Sequence, residues 1–295
     1  MDSALNRAGG RIANETERFR SLRAAASSNS TSGIMSSDLL KNEMNAIQGE
    51  TTSKVPEVTL LFWVIKIAAT TLGETGGDAV SMSMNLGYLA ATGVFAVLFI
   101  AAVGVQIAAK RFHPYVYWAA IIATTTVGTT LADFATRSLG IGYAGGSSLL
   151  LVLLLASLGV WYRAMGTVSV ESVSTPRCEI FYWATIMFSQ TLGTALGDWT
   201  ADTVGLGYLG AATIFSALLA FVAGGYFWTR ISHTALFWAA FVLTRPLGAV
   251  VGDYLDKPVA SGGLALSRYS ATAMLLGFIV ACIMFFTRKP TRTSH

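Results

Sequence analysis

Five carboxylate side chains lie within otherwise apolar stretches of this sequence, where ionisable residues are rare. Four are aspartates that recur at one place in a repeated pattern, and the fifth is a glutamate near the first of them: Asp78, Asp133, Asp198, Asp253 and Glu74. Carboxylate oxygens are ligands for hard cations such as Mn²⁺, Mg²⁺ and Ca²⁺, and they also exchange protons. These residues therefore predict a metal-binding or proton-exchanging site.

Two cationic side chains, Lys66 and Arg245, occur in the same apolar stretches. A charge inside a bilayer costs about 2.5 to 3.5 kcal/mol on insertion scales, so these groups must pair with one another or with a bound ion. Five carboxylates against two cations leave a negative surplus, which calls for protons or a bound cation. Our hypothesis is that the cation binds among the carboxylates, while Lys66 and Arg245 offset their charge when the site is empty.

A spacing of four residues places the polar groups of each stretch on one helix face. In the first stretch these are Lys66, Thr70, Glu74 and Asp78. The equivalent polar positions in the other three stretches, ahead of each aspartate, are Thr125 and Thr129, Gln190 and Thr194, and Arg245. Because such a face cannot point at lipid, we expect the four helices to pack with these faces inward and to line an ion pathway.

The four stretches are copies of one unit, in which a tryptophan precedes the aspartate by fifteen residues and a glycine precedes it by five. The tryptophans are Trp63, Trp118, Trp183 and Trp238, separated by 55, 65 and 55 residues. Repeats one and three are thus 120 residues apart, as are Pro56 and Pro176, so a half made of two repeats is duplicated. Small residues beside the polar face, such as Gly73 and Gly77, predict close approach of the helices.

The composition places the chain in a membrane, because 53% of its 295 residues are apolar and only 12% are charged. In each repeat a short glycine-containing loop leads to a second apolar run, and each run is long enough for a bilayer core of about 30 Å. The predicted fold is all-α: a polytopic membrane protein with eight transmembrane helices, arranged as four tandem helical hairpins nested in two halves, 54–174 and 175–288. We interpret the tryptophans at the helix starts as members of an interfacial aromatic belt.

Lysine and arginine residues are concentrated in one set of loops and in the C-terminal tail, while the other set holds only Arg137, Lys257 and Arg268. By the positive-inside rule, both termini are predicted to be cytoplasmic. Residues 1–53 are interpreted as a mobile cytoplasmic tail, and residues 289–295 as a C-terminal tail. The net charge of +4 follows this distribution, so no nucleic-acid partner is predicted.

The segment Lys54-Val55-Pro56-Glu57-Val58-Thr59, followed by Phe62-Trp63, Lys66 and Thr70 to Glu74, resembles a family of bacterial membrane proteins built from four copies of a short repeat of unknown function. The resemblance covers residues 54 to 288 and implies a location in the bacterial inner membrane. The string from Gly73 to Asp78 is also similar to the Glu-x-Gly-Asp motif of exporters that exchange manganese or calcium for protons, with one extra residue.

These features predict an integral membrane transporter: a secondary, proton-coupled exporter of a hard cation such as Mn²⁺, which uses a carboxylate cluster between repeats. The alternative is a non-transporting membrane binding or assembly protein whose polar stripes only hold helices together. In that case the aspartates accept hydrogen bonds from loop amides, and Lys66, Glu74 and Arg245 form a structural ion pair.

An enzyme is disfavoured, because no serine, cysteine or histidine forms a nucleophile or metal-ligand group within the predicted helices. No cofactor is predicted. The expected partners are the lipid bilayer and a small inorganic cation, and the sequence leaves oligomerisation open.

Overall fold

The computed structural model describes residues 53–109 and 111–286 of the chain, which are all-helical in their regular structure. The predicted tails, 1–53 and 289–295, lie outside these ranges apart from Ser53. The described part contains eight α-helices: α1 (Leu60–Asp78), α2 (Tyr88–Ala108), α3 (Pro114–Asp133), α4 (Gly142–Met165), α5 (Pro176–Asp198), α6 (Gly207–Trp228), α7 (His233–Asp256) and α8 (Arg268–Phe286).

The helix ends follow local sequence signals. Helices α3 and α5 begin at Pro114 and Pro176, where the missing backbone N–H needs no partner. The Thr175 hydroxyl caps α5 by accepting the N–H of Cys178. Directly after their aspartates, α1, α3 and α5 each pass into a five-residue π-helix: Ala79–Ser83, Phe134–Ser138 and Trp199–Thr203. Helix α7 instead continues as an α-helix to Asp256.

The four helices that carry the repeated signature, α1, α3, α5 and α7, form a closed inner ring. Each contacts the next in chain order, and α7 contacts α1. A Cβ atom added to Gly128 of α3 would lie 2.9 Å from the backbone carbon of Gln190 on α5. The same close approach pairs each signature glycine with a residue of the next repeat: Gly73 with Thr125, Gly128 with Gln190, Gly193 with Arg245, and Gly248 with Thr70. The predicted close approach at small residues is confirmed.

Helices α2, α4, α6 and α8 lie outside the ring. Each packs chiefly on the inner helix of the following repeat: α2 on α3, α4 on α5, α6 on α7, and α8 on α1. The two helices of one repeat are consecutive in the chain, but each outer helix packs mainly on the next repeat and not on its own inner helix. Because every repeat covers its neighbour, the helices form one compact unit from Thr52 onwards.

Five helices, α2, α4, α6, α7 and α8, are long and apolar enough to cross a membrane. Few residues of the four outer helices are buried, and large apolar side chains such as Leu98, Val152 and Phe221 cover their surfaces. Helices α1, α3 and α5 have similar lengths but contain more threonine, and they bury their threonines together with their acidic residues. The chain is thus a membrane protein with internal repeats, as its composition and repeated signature predict.

Aromatic side chains fill the end of the ring where the inner helices begin, which we call the tryptophan end. Four residues at equivalent positions of the repeats are buried there: Phe62, Tyr117, Tyr182 and Phe237. Trp118, Trp183 and Trp238 pack edge-to-face against them and are also buried. The interpretation of these three tryptophans as interfacial belt residues is wrong, because the space between four helices requires large side chains to fill it.

The substitution Gly128→Ala will lower the stability of the protein, because its methyl group meets the α5 backbone. Overpacking of this kind costs about 1–3 kcal/mol. Gly104→Ala on α2 is the matched control, since a Cβ atom there meets nothing within 4 Å. Thermal unfolding in detergent measures both variants, and we expect a lower melting temperature for Gly128→Ala alone. Equal melting temperatures would contradict the close helix crossing.

Candidate functional site

The polar stripes of the inner helices form four layers across the ring, because residues four apart stand about one helical turn apart. From the tryptophan end, the layers are Lys66, Ile121, Ile186 and Phe241; then Thr70, Thr125, Gln190 and Arg245; then Glu74, Thr129, Thr194 and Ala249; and last the four aspartates. All of these side chains are buried. Every site residue that the sequence predicted therefore lies inside the ring, although the residues do not form one cluster.

Arg245 of α7 connects all four inner helices. Its Nη2 atom donates to Glu74 Oε2 of α1 at 2.9 Å and to Thr129 Oγ1 of α3 at 2.6 Å. It also donates to the hydroxyl of Thr194 on α5. Removing one partner from a buried ion pair of this kind costs about 3–5 kcal/mol, because the other charge stays buried without compensation.

Lys66 is a buried cation without an anionic partner among the described residues. Its Nζ atom lies 4.2 Å from the centroid of the Phe241 ring and has no hydrogen-bond acceptor in this part of the chain. A desolvated cation–π contact contributes about 2 kcal/mol. Burying an ion costs several kcal/mol even after the protein relaxes. The aromatic contact alone therefore does not offset the burial of a charged Lys66.

The second layer holds further polar atoms that no described residue satisfies. They are both polar atoms of the Gln190 amide, the Thr125 hydroxyl oxygen, and Nε and Nη1 of Arg245. A buried polar group left unpaired costs about 1–3 kcal/mol. Lys66 belongs to the first layer, which is next to the second. These two neighbouring layers therefore contain buried donors and acceptors that form no hydrogen bond with any described residue.

Two cations from the loops pair the four aspartates at the opposite end of the ring, which we call the aspartate end. The bridges are Lys257 with Asp78 and Asp253, and Arg137 with Asp133 and Asp198. The Lys257 ammonium lies 2.6 Å from Asp78 and 3.1 Å from Asp253. Arg137 and Lys257 are 120 residues apart, so each half contributes one such cation, which pairs an aspartate of its own half with one of the other half.

Arg137, Lys257 and Arg268 entered the sequence prediction only through the positive-inside rule, and their pairing with the aspartates was missed. A signal was present, because Arg137 and Lys257 each follow an aspartate by four residues, a spacing that brings helical side chains together. Asp256, which pairs with Arg268 at 2.9 Å, was also missed. Counting Glu179 and its partner Lys54 at the tryptophan end, seven buried carboxylates thus face six cations among the described residues, instead of five facing two.

The carboxylates predicted to bind metal divide into overlapping groups. Among the described residues, two trios have carboxylate oxygens within 4.8 Å of one another: Glu74, Asp198 and Asp253; and Asp78, Asp253 and Asp256. Asp133 belongs to neither trio and pairs with Arg137 at 2.9 Å. Oxygen ligands of this kind suit hard divalent cations. The second trio contacts Lys257 and Arg268. The first contacts Arg245 through Glu74, Arg137 through Asp198 and Lys257 through Asp253.

A short segment before α1 closes the tryptophan end. The backbone N–H of Lys54 donates to the Val173 carbonyl at 2.8 Å. The Lys54 ammonium lies 2.6 Å from Glu179 at the start of α5 and donates to the carbonyls of Gln106 and Ile107. This segment therefore links the first repeat to the third.

One family model matches the chain four times, at residues 61–112, 116–167, 181–232 and 236–290. Its description is Repeat of Unknown Function (DUF347). Each match covers most of an inner helix, its loop and the outer helix that follows. Neither the curated proteins nor the solved structures give a significant match.

The substitution Lys257→Met will destabilise the protein by about 3–5 kcal/mol, because Asp78 and Asp253 then stay buried without their shared cation. Burial lowers the pKa of Lys257, but the carboxylates of Asp253, Asp78 and Asp256 outweigh it, so its pKa lies above the ordinary lysine value. A raised folded-state pKa means that the stabilisation is fully present below the unfolded lysine pKa of about 10.4 and is lost only at higher pH.

Thermal unfolding should therefore give the same loss for Lys257→Met at about pH 7 and about pH 9, both below that unfolded value. Arg230→Met, at an exposed arginine, is the matched control and should leave the melting temperature unchanged. A Lys257→Met protein as stable as the wild type would mean that Lys257 does not bridge the two aspartates.

Proposed function

The chain belongs to the DUF347 repeat family, and we propose that it is a secondary transporter that carries a hard cation such as Mn²⁺ across the membrane in exchange for protons. The observation that supports this most is the trio of Glu74, Asp198 and Asp253. Their carboxylate oxygens lie within 4.8 Å of one another, inside the closed ring, and Arg245 pairs with one of them. Three buried carboxylates at this spacing match the ligand preference of a hard divalent cation.

In this proposal, Arg245 and the transported cation compete for Glu74. When the cation binds the trio, the guanidinium gives up Glu74 and keeps its hydrogen bonds to Thr129 and Thr194. When protons replace the cation on the carboxylates, Arg245 returns to Glu74. The exchange keeps the buried charge nearly balanced in the cation-bound and in the protonated state. This balance limits the free-energy cost of burying charge in either state.

The finer topology is also part of the proposal. All eight helices cross the membrane: α1, with 19 residues, is about 28 Å long, close to the bilayer core of about 30 Å, and its polar residues lie inside the ring. The positive-inside rule puts both termini and the tryptophan end in the cytoplasm of a bacterial inner membrane. The aspartate end then faces the outside.

The distribution of ion pairs supports movement of two halves, 54–174 and 175–288. Every ion pair that joins two different repeats within the described residues also joins the first half to the second: Lys54 with Glu179, Arg137 with Asp198, Arg245 with Glu74, and Lys257 and Arg268 with Asp78. Protonation or cation binding at these carboxylates would weaken the boundary at one end. We infer that the halves rock about the central trio and open the two ends alternately.

Flux in proteoliposomes tests the proposal. Wild-type protein should carry Mn²⁺, detected by quenching of a trapped fluorophore, and an imposed pH gradient should drive it. Glu74→Gln and Asp198→Asn should each reduce this flux by at least about tenfold, the scale on which changes around a metal site act. Asp202→Asn is the matched control, since this exposed aspartate lies one turn beyond Asp198 and should leave the flux unchanged.

The main rival is a membrane assembly protein whose polar stripes only hold helices together. It is favoured by one observation, namely that Arg245 already bonds to all three other inner helices. For such a protein, Glu74→Gln would lower the melting temperature, and no flux of Mn²⁺, Mg²⁺ or Ca²⁺ would be detected with wild-type protein. That pair of results would overturn the transport proposal.

A further inference from the structure

The part of the ring nearest Lys66 presents hydrogen-bond donors that have no acceptor in the described chain. They are Nζ of Lys66, Nε2 of Gln190, and Nε and Nη1 of Arg245. All three side chains are completely buried. We propose that the protein binds a small monovalent anion between Lys66, Gln190 and Arg245, which we call the anion site.

The charges of this region call for one negative charge. Arg245 is compensated by Glu74, which it meets through Nη2 only. Lys66 has no carboxylate partner within the described residues, and its one aromatic neighbour, Phe241, is neutral. The first and second layers contain no acidic residue, since the carboxylates begin at Glu74 and continue towards the aspartate end. One bound monovalent anion would neutralise the charge of Lys66. It would also accept hydrogen bonds from Nε and Nη1 of Arg245.

The balance of donors and acceptors distinguishes an anion from other ligands. Lysine ammonium and the Nε and Nη1 groups of arginine only donate, and the Gln190 amide adds two more donors. In the two layers nearest Lys66, the unused acceptors among the described side chains are the Gln190 carbonyl oxygen and the Thr125 hydroxyl. A cation would meet two positive charges here. A negatively charged ligand that accepts several hydrogen bonds would satisfy most of the unpaired donors of Lys66, Gln190 and Arg245.

The walls of the region restrict the size of the anion. Ile121, Ile186 and Phe241 share the first layer with Lys66 and are completely buried, and the Phe241 ring contacts the Lys66 ammonium. Closely packed glycine crossings fix the helices beside the second layer. Chloride and a small carboxylate such as formate share the required chemistry of a compact monovalent acceptor. This site shares Arg245 with the Glu74, Asp198 and Asp253 trio but uses none of the three carboxylates, so its existence does not depend on cation transport.

Binding is tested with full-length protein that is purified in detergent, with the bulky anion gluconate as the only anion. Chloride or formate is then added, and thermal unfolding is followed at constant ionic strength. Wild-type protein should melt at a higher temperature with one or both small anions, in a saturable manner. A response to chloride alone assigns a halide site, and a response to formate alone assigns the carboxylate of an organic ligand.

Two variants and a control connect the effect to the named residues. Lys66→Met and Gln190→Leu should each raise the half-saturating anion concentration about tenfold or more, as expected when a hydrogen bond to a charged group is lost. Lys66→Arg keeps the charge and should retain the response. Thr126→Val is the matched control, because this buried hydroxyl already donates to the Ile122 carbonyl, and it should respond like the wild type.

The absence of any chloride or formate effect on wild-type protein would overturn the proposal. So would an unchanged anion response in both Lys66→Met and Gln190→Leu. If Lys66→Met does not fold, Gln190→Leu decides. Mn²⁺ flux is measured separately, so a failure of cation transport with anion binding intact would contradict the proposed function and leave the anion site standing.

Discussion

The close crossing of four helices at their glycines is the constraint on which the rest of the structure depends. Because Gly73, Gly128, Gly193 and Gly248 carry no side chain, each inner helix can bring the polar stripe of the next repeat to the centre of the ring. The interior is then narrow, and its polar groups must satisfy one another across helices. A single guanidinium, that of Arg245, can contact three other helices only in a ring of this width.

The repeat is nearly fourfold in its glycines and aspartates but only twofold in its charges. Loop cations that follow an aspartate by four residues occur in the second and fourth repeats, as Arg137 and Lys257, whereas Met82 and Asp202 stand at these positions in the first and third. Lys66 and Arg245 occur once each. The glycines therefore define the scaffold, while the residues that break its symmetry give the centre a carboxylate-rich side and a donor-rich side.

Periodicity predicted the inward faces because spacing along one helix determines which side chains share a face. It identified the stripe from Lys66 to Asp78, the small residues beside it and the membrane setting. It could not predict what depends on neighbouring chains. The partners of Asp78, the burial of Trp118 and the packing of each outer helix on the next repeat are set by the ring, and no spacing within a single repeat contains that information. The i, i+4 pairs of Arg137 and Lys257 were the exception, since they could be read within one helix.

The packing of α8 on α1 has a consequence for biogenesis. Each of α3, α5 and α7 meets an outer helix that was synthesised immediately before it, but α1 must wait for the last helix of the chain. Its charged and hydroxyl groups, including Lys66 and Glu74, are therefore synthesised before the ring that shelters them can close. Helix α1 is therefore the segment of the ring that is exposed longest during synthesis, and the ring is complete only when α8 packs on α1.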